Sequence, residues 1–165
     1  MIDNLSTTHY TLNLGGQLLS LATPRVMGIL NVTPDSFYDG SRCPEKAEIT
    51  ERVHTIVREG ADIIDIGGYS SRPHAADISP DEEMRRLSVG LEIIRKHYPD
   101  AFVSVDTFRA EVARRCVEEY GVQIINDISG GELDHKMFET AADLHVPYIC
   151  LLYTSPSPRD RSLSR

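Results

Sequence analysis

The feature that most constrains this chain is a repeat of short apolar runs, the first four each followed by a helical pattern and each carrying an amide or carboxylate near its C-terminal end. Residues 26–30, 61–68, 102–107, 122–128 and 146–150 are compact and apolar, as buried strands are, and Gly, Pro, Asn or Asp soon stops the regular pattern. Between the first two, Ile49, Val53, Ile56 and Val57 recur at helical spacing from Pro44 until Gly60 supplies a stop. Ser79-Pro-Asp-Glu82 reads as a capping box with proline at the first helical position, and Met84, Leu87, Leu91 and Ile94 then line one face. A third helix is expected from Phe108 to Tyr120, burying Val112, Cys116 and Val117 before Gly121. Asp134 is expected to cap a fourth, running through Met137, Phe138, Ala141 and Leu144. Strand and helix in strict alternation imply a parallel sheet.

A closed (β/α)₈ barrel and an open doubly wound sheet both alternate in this way, and the polar residues separate them. Taking alternate residues back from each strand end puts Met27, Ile29 and Asn31 on one side, with Ile63 and Asp65, Ser104 and Asp106, and Ile124 and Asn126. A barrel converges the C-terminal ends of all its strands on one mouth, whereas an open sheet concentrates its site at one switch point. Four convergent polar groups fit the barrel. No Gly-x-Gly-x-x-Gly follows a strand and no Gly-x-x-x-x-Gly-Lys-Ser/Thr is present, so dinucleotide and P-loop sites lack their signatures.

The expected fold is therefore a TIM-type α/β barrel. A complete one needs roughly 250 residues, and this chain supplies about four and a half β-α units. Residues 1–24 form an N-terminal segment whose two short strands, on either side of Gly15-Gly16, are expected to make a hairpin that plugs the barrel bottom. Residues 25–150 are the half-barrel. Residues 151–165, rich in Ser, Pro and Arg, show neither period and read as a tail of different character.

A net charge of −8 argues against a nucleic-acid surface. No apolar run approaches the ~20 residues of a membrane span, and the N-terminus lacks a basic stretch followed by an apolar one, so the cytoplasm is the expected compartment. Cys43, Cys116 and Cys150 are odd in number and without a Cys-x-x-Cys, which points to reduced thiols. Gly-x-Ser-x-Gly and His-Glu-x-x-His are both absent, so neither a serine nucleophile nor a zinc hydrolase is indicated.

Four stretches carry a resemblance: Met27-Gly-Ile-Leu-Asn-Val-Thr-Pro-Asp-Ser-Phe-Tyr-Asp-Gly40, Ile64-Asp-Ile-Gly-Gly-Tyr-Ser-Ser-Arg-Pro73, Ser104-Val-Asp-Thr107 and Ile125-Asn-Asp-Ile128. In order and spacing they resemble the dihydropteroate synthases, over about residues 25 to 150. The tail from residue 151 has no counterpart in that resemblance. Tyr38, Tyr69 and Ser71 stand where serine, glutamate and threonine are common. The resemblance implies condensation of 6-hydroxymethyl-7,8-dihydropterin pyrophosphate with p-aminobenzoate to give 7,8-dihydropteroate and pyrophosphate, with Mg²⁺, in a homodimeric enzyme. It also implies substrate binding by Asp65, Ser71, Arg72, Pro73, Asp106 and Asn126, a metal contact by Asn31, and catalytic roles for Asp39 and Arg72.

Chemistry supports these residue types. A carboxylate and an amide complement the donors and acceptors of an aminopyrimidinone edge, an amide oxygen suits Mg²⁺, and a planar guanidinium suits a diphosphate. Taken singly, Asp106 could instead cap the following helix, Asn126 could form a turn, and Asp65 could bond loop backbone or order a water. Two further readings are a non-catalytic pterin-binding or interaction fragment and the pterin-binding domain of a corrinoid-dependent methyltransferase. The Pro-Asp-Ser-Phe and Ser-Ser-Arg-Pro loops favour the synthase.

Overall fold

A computed structural model describes residues 10–33, 44–70 and 77–150. The chain opens with an antiparallel hairpin, β1 (Thr11–Leu14) and β2 (Gln17–Ser20), joined by Gly15 and Gly16 at φ +62° and +92°. Two successive positive φ values are what a two-residue hairpin turn demands, and glycine meets that demand without strain. Then follow β3 (Met27–Asn31), α1 (Pro44–Arg58), β4 (Ile63–Gly67), α2 (Pro80–His97) and β5 (Phe102–Asp106). After these come α3 (Ala110–Tyr120), β6 (Ile124–Asp127), α4 (Met137–Leu144) and β7 (Tyr148–Cys150). Strands β3 to β7 form one parallel sheet in chain order, with β3 and β7 at its edges.

The register gives each face its role. Gly28, Ile64 and Val103 share a row, as do Leu30, Ile66 and Val105, with Ile125 paired to Val105. Their apolar side chains meet Val53, Leu87, Leu91 and Val112 from the helices in one continuous core. The other face carries Ile29, Asp65, Ser104 and Ile124 in one row and Asn31, Gly67, Asp106 and Asn126 in the next, toward the C-terminal strand ends. This is the polar face read from alternate residues, and it is the concave side of the sheet. At its opposite end Leu14 and Leu19 of the hairpin pack with Ile63 and Ile124, so the hairpin closes the bottom as expected. Ile29, on the same concave face at the β3 edge, is 59% exposed.

Four expectations need correction. Ser79 accepts from the backbone N–H of Glu82, but the Glu82 carboxylate is taken by Arg85 and Arg86, so the capping box is made on one side only. Helix α3 starts at Ala110 rather than Phe108, and its first N–H donates to Asp134 Oδ2 from the loop after β6. Asp134 does not cap α4, whose N-cap is Lys136 without a side-chain cap bond; its Oδ1 instead accepts from Lys136 N just ahead of the helix. Phe138 is exposed, its ring lying against Tyr148 at 5.2 Å between centroids instead of entering the core.

Arg95 ties the lower ends of the units together. It donates to the carbonyls of Tyr120, Pro99, Ala101 and Gly121, with Gln123 Oε1 a further acceptor at 3.4 Å. Among the described residues no helix is long and apolar enough to cross a membrane.

Candidate active site

Three of four adjacent strands end on polar groups at one level because a parallel register carries paired residues to the same height. Asn31 pairs with Gly67, Gly67 with Asp106, and Asp106 with Asn126. Gly67 keeps the space between its neighbours open: a methyl group there would meet Asp106 Oδ2 at 3.4 Å and Asn31 Oδ1 at 3.5 Å. Asn31 is exposed at the edge of the row, whereas Asp106 and Asn126 are half-buried.

The Asp106 carboxylate makes no hydrogen bond to any described residue, so it does not cap α3. Burial, reinforced by the charges of Asp65, Glu83 and Asp127, pushes its pKa up to about 7. An unpartnered carboxylate in that setting is poised to accept from a ligand that brings its own N–H donors. Asp65 sits one row deeper, and its Oδ2 accepts from Asn126 Nδ2 at 2.9 Å across β5. Burial raises its pKa, opposed by the nearby Ser104 hydroxyl and by the Asn126 amide. Proximity to Ser104 favours the ionised form, yet neither Ser104 Oγ nor Asp65 Oδ1 makes a hydrogen bond of good geometry.

The mouth is held by two buried carboxylates that sequence reading did not single out. Glu83, on α2, is fully buried; Thr107 Oγ1 donates to its Oε1 at 2.7 Å and Arg109 Nη1 pairs with its Oε2. Arg109 Nη2 also donates to Asp77 and to the Ile78 carbonyl, and its guanidinium lies over the rings of Tyr69 and Phe108 at 5.1 and 4.8 Å. These contacts pin the loop after β5 beside Asp106. Asp127, buried on the helix side of β6, accepts from the N–H groups of Ser129 and Gly131 and from the Tyr148 hydroxyl. It fixes the loop after β6 and raises the Tyr148 pKa, after burial, which contributes most.

A signal for Glu83 was available. It lies four residues before Leu87 on the stripe that continues to Leu91 and Ile94, and a glutamate on an apolar helix face needs a partner. Tyr69, Phe108, Arg109, Asp77, Ile128 and Asp106 line a cavity of about 330 Å³ between these loops. Of the residues expected in the site, Asn31, Asp65, Asp106 and Asn126 gather on the concave face, and Asp39, Ser71, Arg72 and Pro73 lie outside the described residues. Among the described residues no group of three or more His, Cys, Asp or Glu could hold a metal ion.

A barrel-type parallel sheet with amides and a free carboxylate at its C-terminal mouth defines a class of small-molecule site, and comparison with known proteins gives the family of the chain. The profile of the family described as pterin binding enzyme matches residues 27–162, and the chain belongs to that family. The matched span starts with β3 and extends past residue 150. Among its relatives are dihydropteroate synthase of Escherichia coli, 39% identical over 144 residues, and a folic acid synthesis protein of Pneumocystis carinii, 45% identical over 128. These alignments cover 87% and 78% of this chain but only 50% and 17% of the relatives. Dihydropteroate synthase of Xanthomonas albilineans, solved with 4-aminobenzoic acid, superposes with a TM-score of 0.76 at 38% identity, covering 86% of this chain and 50% of that one. The same enzyme in complex with 7,8-dihydropteroate gives 0.71 at 35% identity, with 84% and 49% covered. The chain is thus a dihydropteroate-synthase-like region spanning about half or less of these relatives.

Proposed function

We propose that this chain supplies the pterin-binding half of a dihydropteroate synthase, the transferase that joins 6-hydroxymethyl-7,8-dihydropterin pyrophosphate to p-aminobenzoate. The observation that carries the proposal is the row Asn31, Gly67, Asp106, Asn126 at the C-terminal ends of adjacent strands, with the Asp106 carboxylate unpartnered among the described residues. Ionised Asp106 accepts from the ring N–H and exocyclic amine of the pterin, and Asn126 adds an amide contact beside it. The complexes of the Xanthomonas enzyme with 4-aminobenzoic acid and with 7,8-dihydropteroate support this substrate pair.

Asn31, whose amide oxygen borders the cleft that Gly67 leaves open, would hold Mg²⁺ through one hard oxygen. When bound, the cation supplies charge neutralisation at the departing pyrophosphate. Arg72 does the same from the chain itself, Ser71 and Pro73 border p-aminobenzoate, and Asp39 covers the site; these four roles follow the resemblance. Cleavage of the C–O bond leaves an electron-rich pterin cation that the aniline nitrogen captures, and the new N–H⁺ loses its proton to water. No strong base is required. The cytoplasm and a homodimer complete this reading.

The share of the relatives that is covered favours a second reading for the isolated chain, as a pterin binder without turnover. Calorimetric titration with the dihydropterin pyrophosphate and Mg²⁺, run beside a condensation assay, tests both. Binding is expected to weaken by about 1–3 kcal/mol in Asp106→Ala, the cost of stranding buried donors, and condensation is expected only once the rest of a barrel is supplied. Unchanged affinity in a folded Asp106→Ala protein overturns the site assignment. Turnover of about 1 s⁻¹ by the chain alone overturns the division of labour.

A further inference from the structure

We propose that Asp65 is a specificity-determining positioning residue: by accepting a hydrogen bond from Asn126 Nδ2 it fixes that amide with its carbonyl oxygen facing the mouth. The inference rests on the pterin reading above and adds the hydrogen-bond polarity of the pocket.

An amide is nearly symmetric in shape and opposite in chemistry at its two ends, so something must decide which end meets a ligand. The contact itself decides it. Asp65 Oδ2 lies 2.9 Å from the Asn126 side-chain nitrogen, and an ionised carboxylate can only accept, so the reversed amide would set two acceptors against each other. The carboxylate reaches Asn126 because Ser104, the β5 residue between them, has a small side chain. Ser104 does not use up the carboxylate: its hydroxyl and Asp65 Oδ1 are both buried without a hydrogen bond, and no described cation pairs with Asp65. Asp65 is 7% exposed and lies one row below Asp106 and Asn126, so it acts from beneath the ligand-facing row.

The planar amide then points its oxygen away from Asp65, and no described residue donates to it. Together with Asp106 it gives the pocket two adjacent acceptors on β5 and β6, the donor-bearing amide of Asn31 lying two strands away on β3. Such a pocket selects a ring whose facing edge is rich in N–H groups and rejects one that presents a carbonyl in the same place. A pterin, with its 2-amino group, meets that requirement. A lumazine of the same shape, with a 2-oxo group, does not.

Two measurements on the 165-residue chain test the proposal. In the ligand-free protein, nitrogen-15 NMR should show the two Asn126 side-chain N–H resonances well separated, with one protected from exchange. Asp65→Ala should collapse that pattern, and Asp65→Asn, which can still present an oxygen to Nδ2, should keep it. A solvent-like Asn126 amide in the unsubstituted chain overturns the proposal whether or not Asp65→Ala folds. In the second measurement, 6-hydroxymethylpterin and 6-hydroxymethyllumazine are titrated into the chain and both variants. The preference for the pterin should fall by about tenfold in Asp65→Ala, the worth of one hydrogen bond, and persist in Asp65→Asn. Equal weakening of both ligands, with their ratio unchanged, marks Asp65 as merely structural and overturns the proposal. Failure of the chain to bind either ring removes the pterin reading alone, and the resonances of Asn126 then decide the fate of the amide assignment.

Discussion

Asp106→Asn should make this protein more stable at alkaline pH while removing the ligand contact proposed for it. The Asp106 carboxyl ordinarily titrates near 3.8 and is pushed up to about 7 in the fold, by burial first and then by Asp65, Glu83 and Asp127. The folded chain therefore holds a proton that the unfolded chain releases, and the sign follows. This contribution to stability is fully present below the unfolded pKa and is lost as pH rises through the folded one, with no further change above about pH 7. A displacement of about three pH units at 1.36 kcal/mol each gives at most about 4 kcal/mol at pH 8. Asparagine has nearly the same shape and no charge, so the variant should match the original chain near pH 4 and exceed it by about 2–4 kcal/mol at pH 8. Urea unfolding followed by circular dichroism at both pH values measures the difference, and titrations of groups that do not interact with Asp106 cancel between the two proteins. A variant no more stable than the original at pH 8 would falsify the electrostatic account of this site.

Gly67→Ala should fold normally, since its new methyl group makes ordinary contacts, and yet lose ligand affinity because it fills the cleft between Asn31 and Asp106; calorimetry beside thermal melting separates the two effects. Arg95→Ala should cost about 3 kcal/mol or more in urea, because it strands several carbonyls at once, and Arg95→Lys should restore only part of this, which equal stability of the two variants would contradict. Ser104→Ala should cost less than about 1 kcal/mol, since the buried hydroxyl makes no hydrogen bond of good geometry and only assists the ionised form of Asp65; a larger loss in urea unfolding would show that the hydroxyl is bonded in solution. Cys116 should resist thiol reagents in the folded chain at pH 8, because burial pushes its pKa up to about 12 beside Met84, and labelling as fast as in urea would refute its burial.

The parts of the fold legible in the sequence are those written in a period. Alternation along Ile63, Asp65 and Gly67, or along Ser104 and Asp106, is enough to place these residues on one face, because a strand has no other way to arrange them. The hairpin was equally plain, since two adjacent glycines leave few other turns. What escaped notice depends on contacts between distant segments. Asp134 reaches Ala110 across the α3 and α4 units, and Glu82 abandons the cap for Arg85 and Arg86, choices that depend on which donor is nearer in space. Glu83 was hidden by its type: a charged residue is read as solvent-facing, and only its position on the Leu87 stripe betrays burial. Phe138 shows the converse, an aromatic residue at helical spacing that stays outside because α4 turns a smaller face, Ala141 and Met137, to the core.

That Asn31, Gly67, Asp106 and Asn126 occupy one row has a consequence for how the protein comes to be competent at all. Side chains along a strand alternate, so a one-residue slip in any pairing would send that strand's polar group to the helix side and bring an apolar one to the mouth. Slipped β5 would bury Asp106 among Leu87 and Val112 and expose Val105 in its place, a penalty of burial and a loss of site in a single error. Assembly of the mouth and proofreading of the sheet are therefore one event. A chain that has settled its strand register has already completed this row, and one that has not presents no partial version of it for a ligand to find.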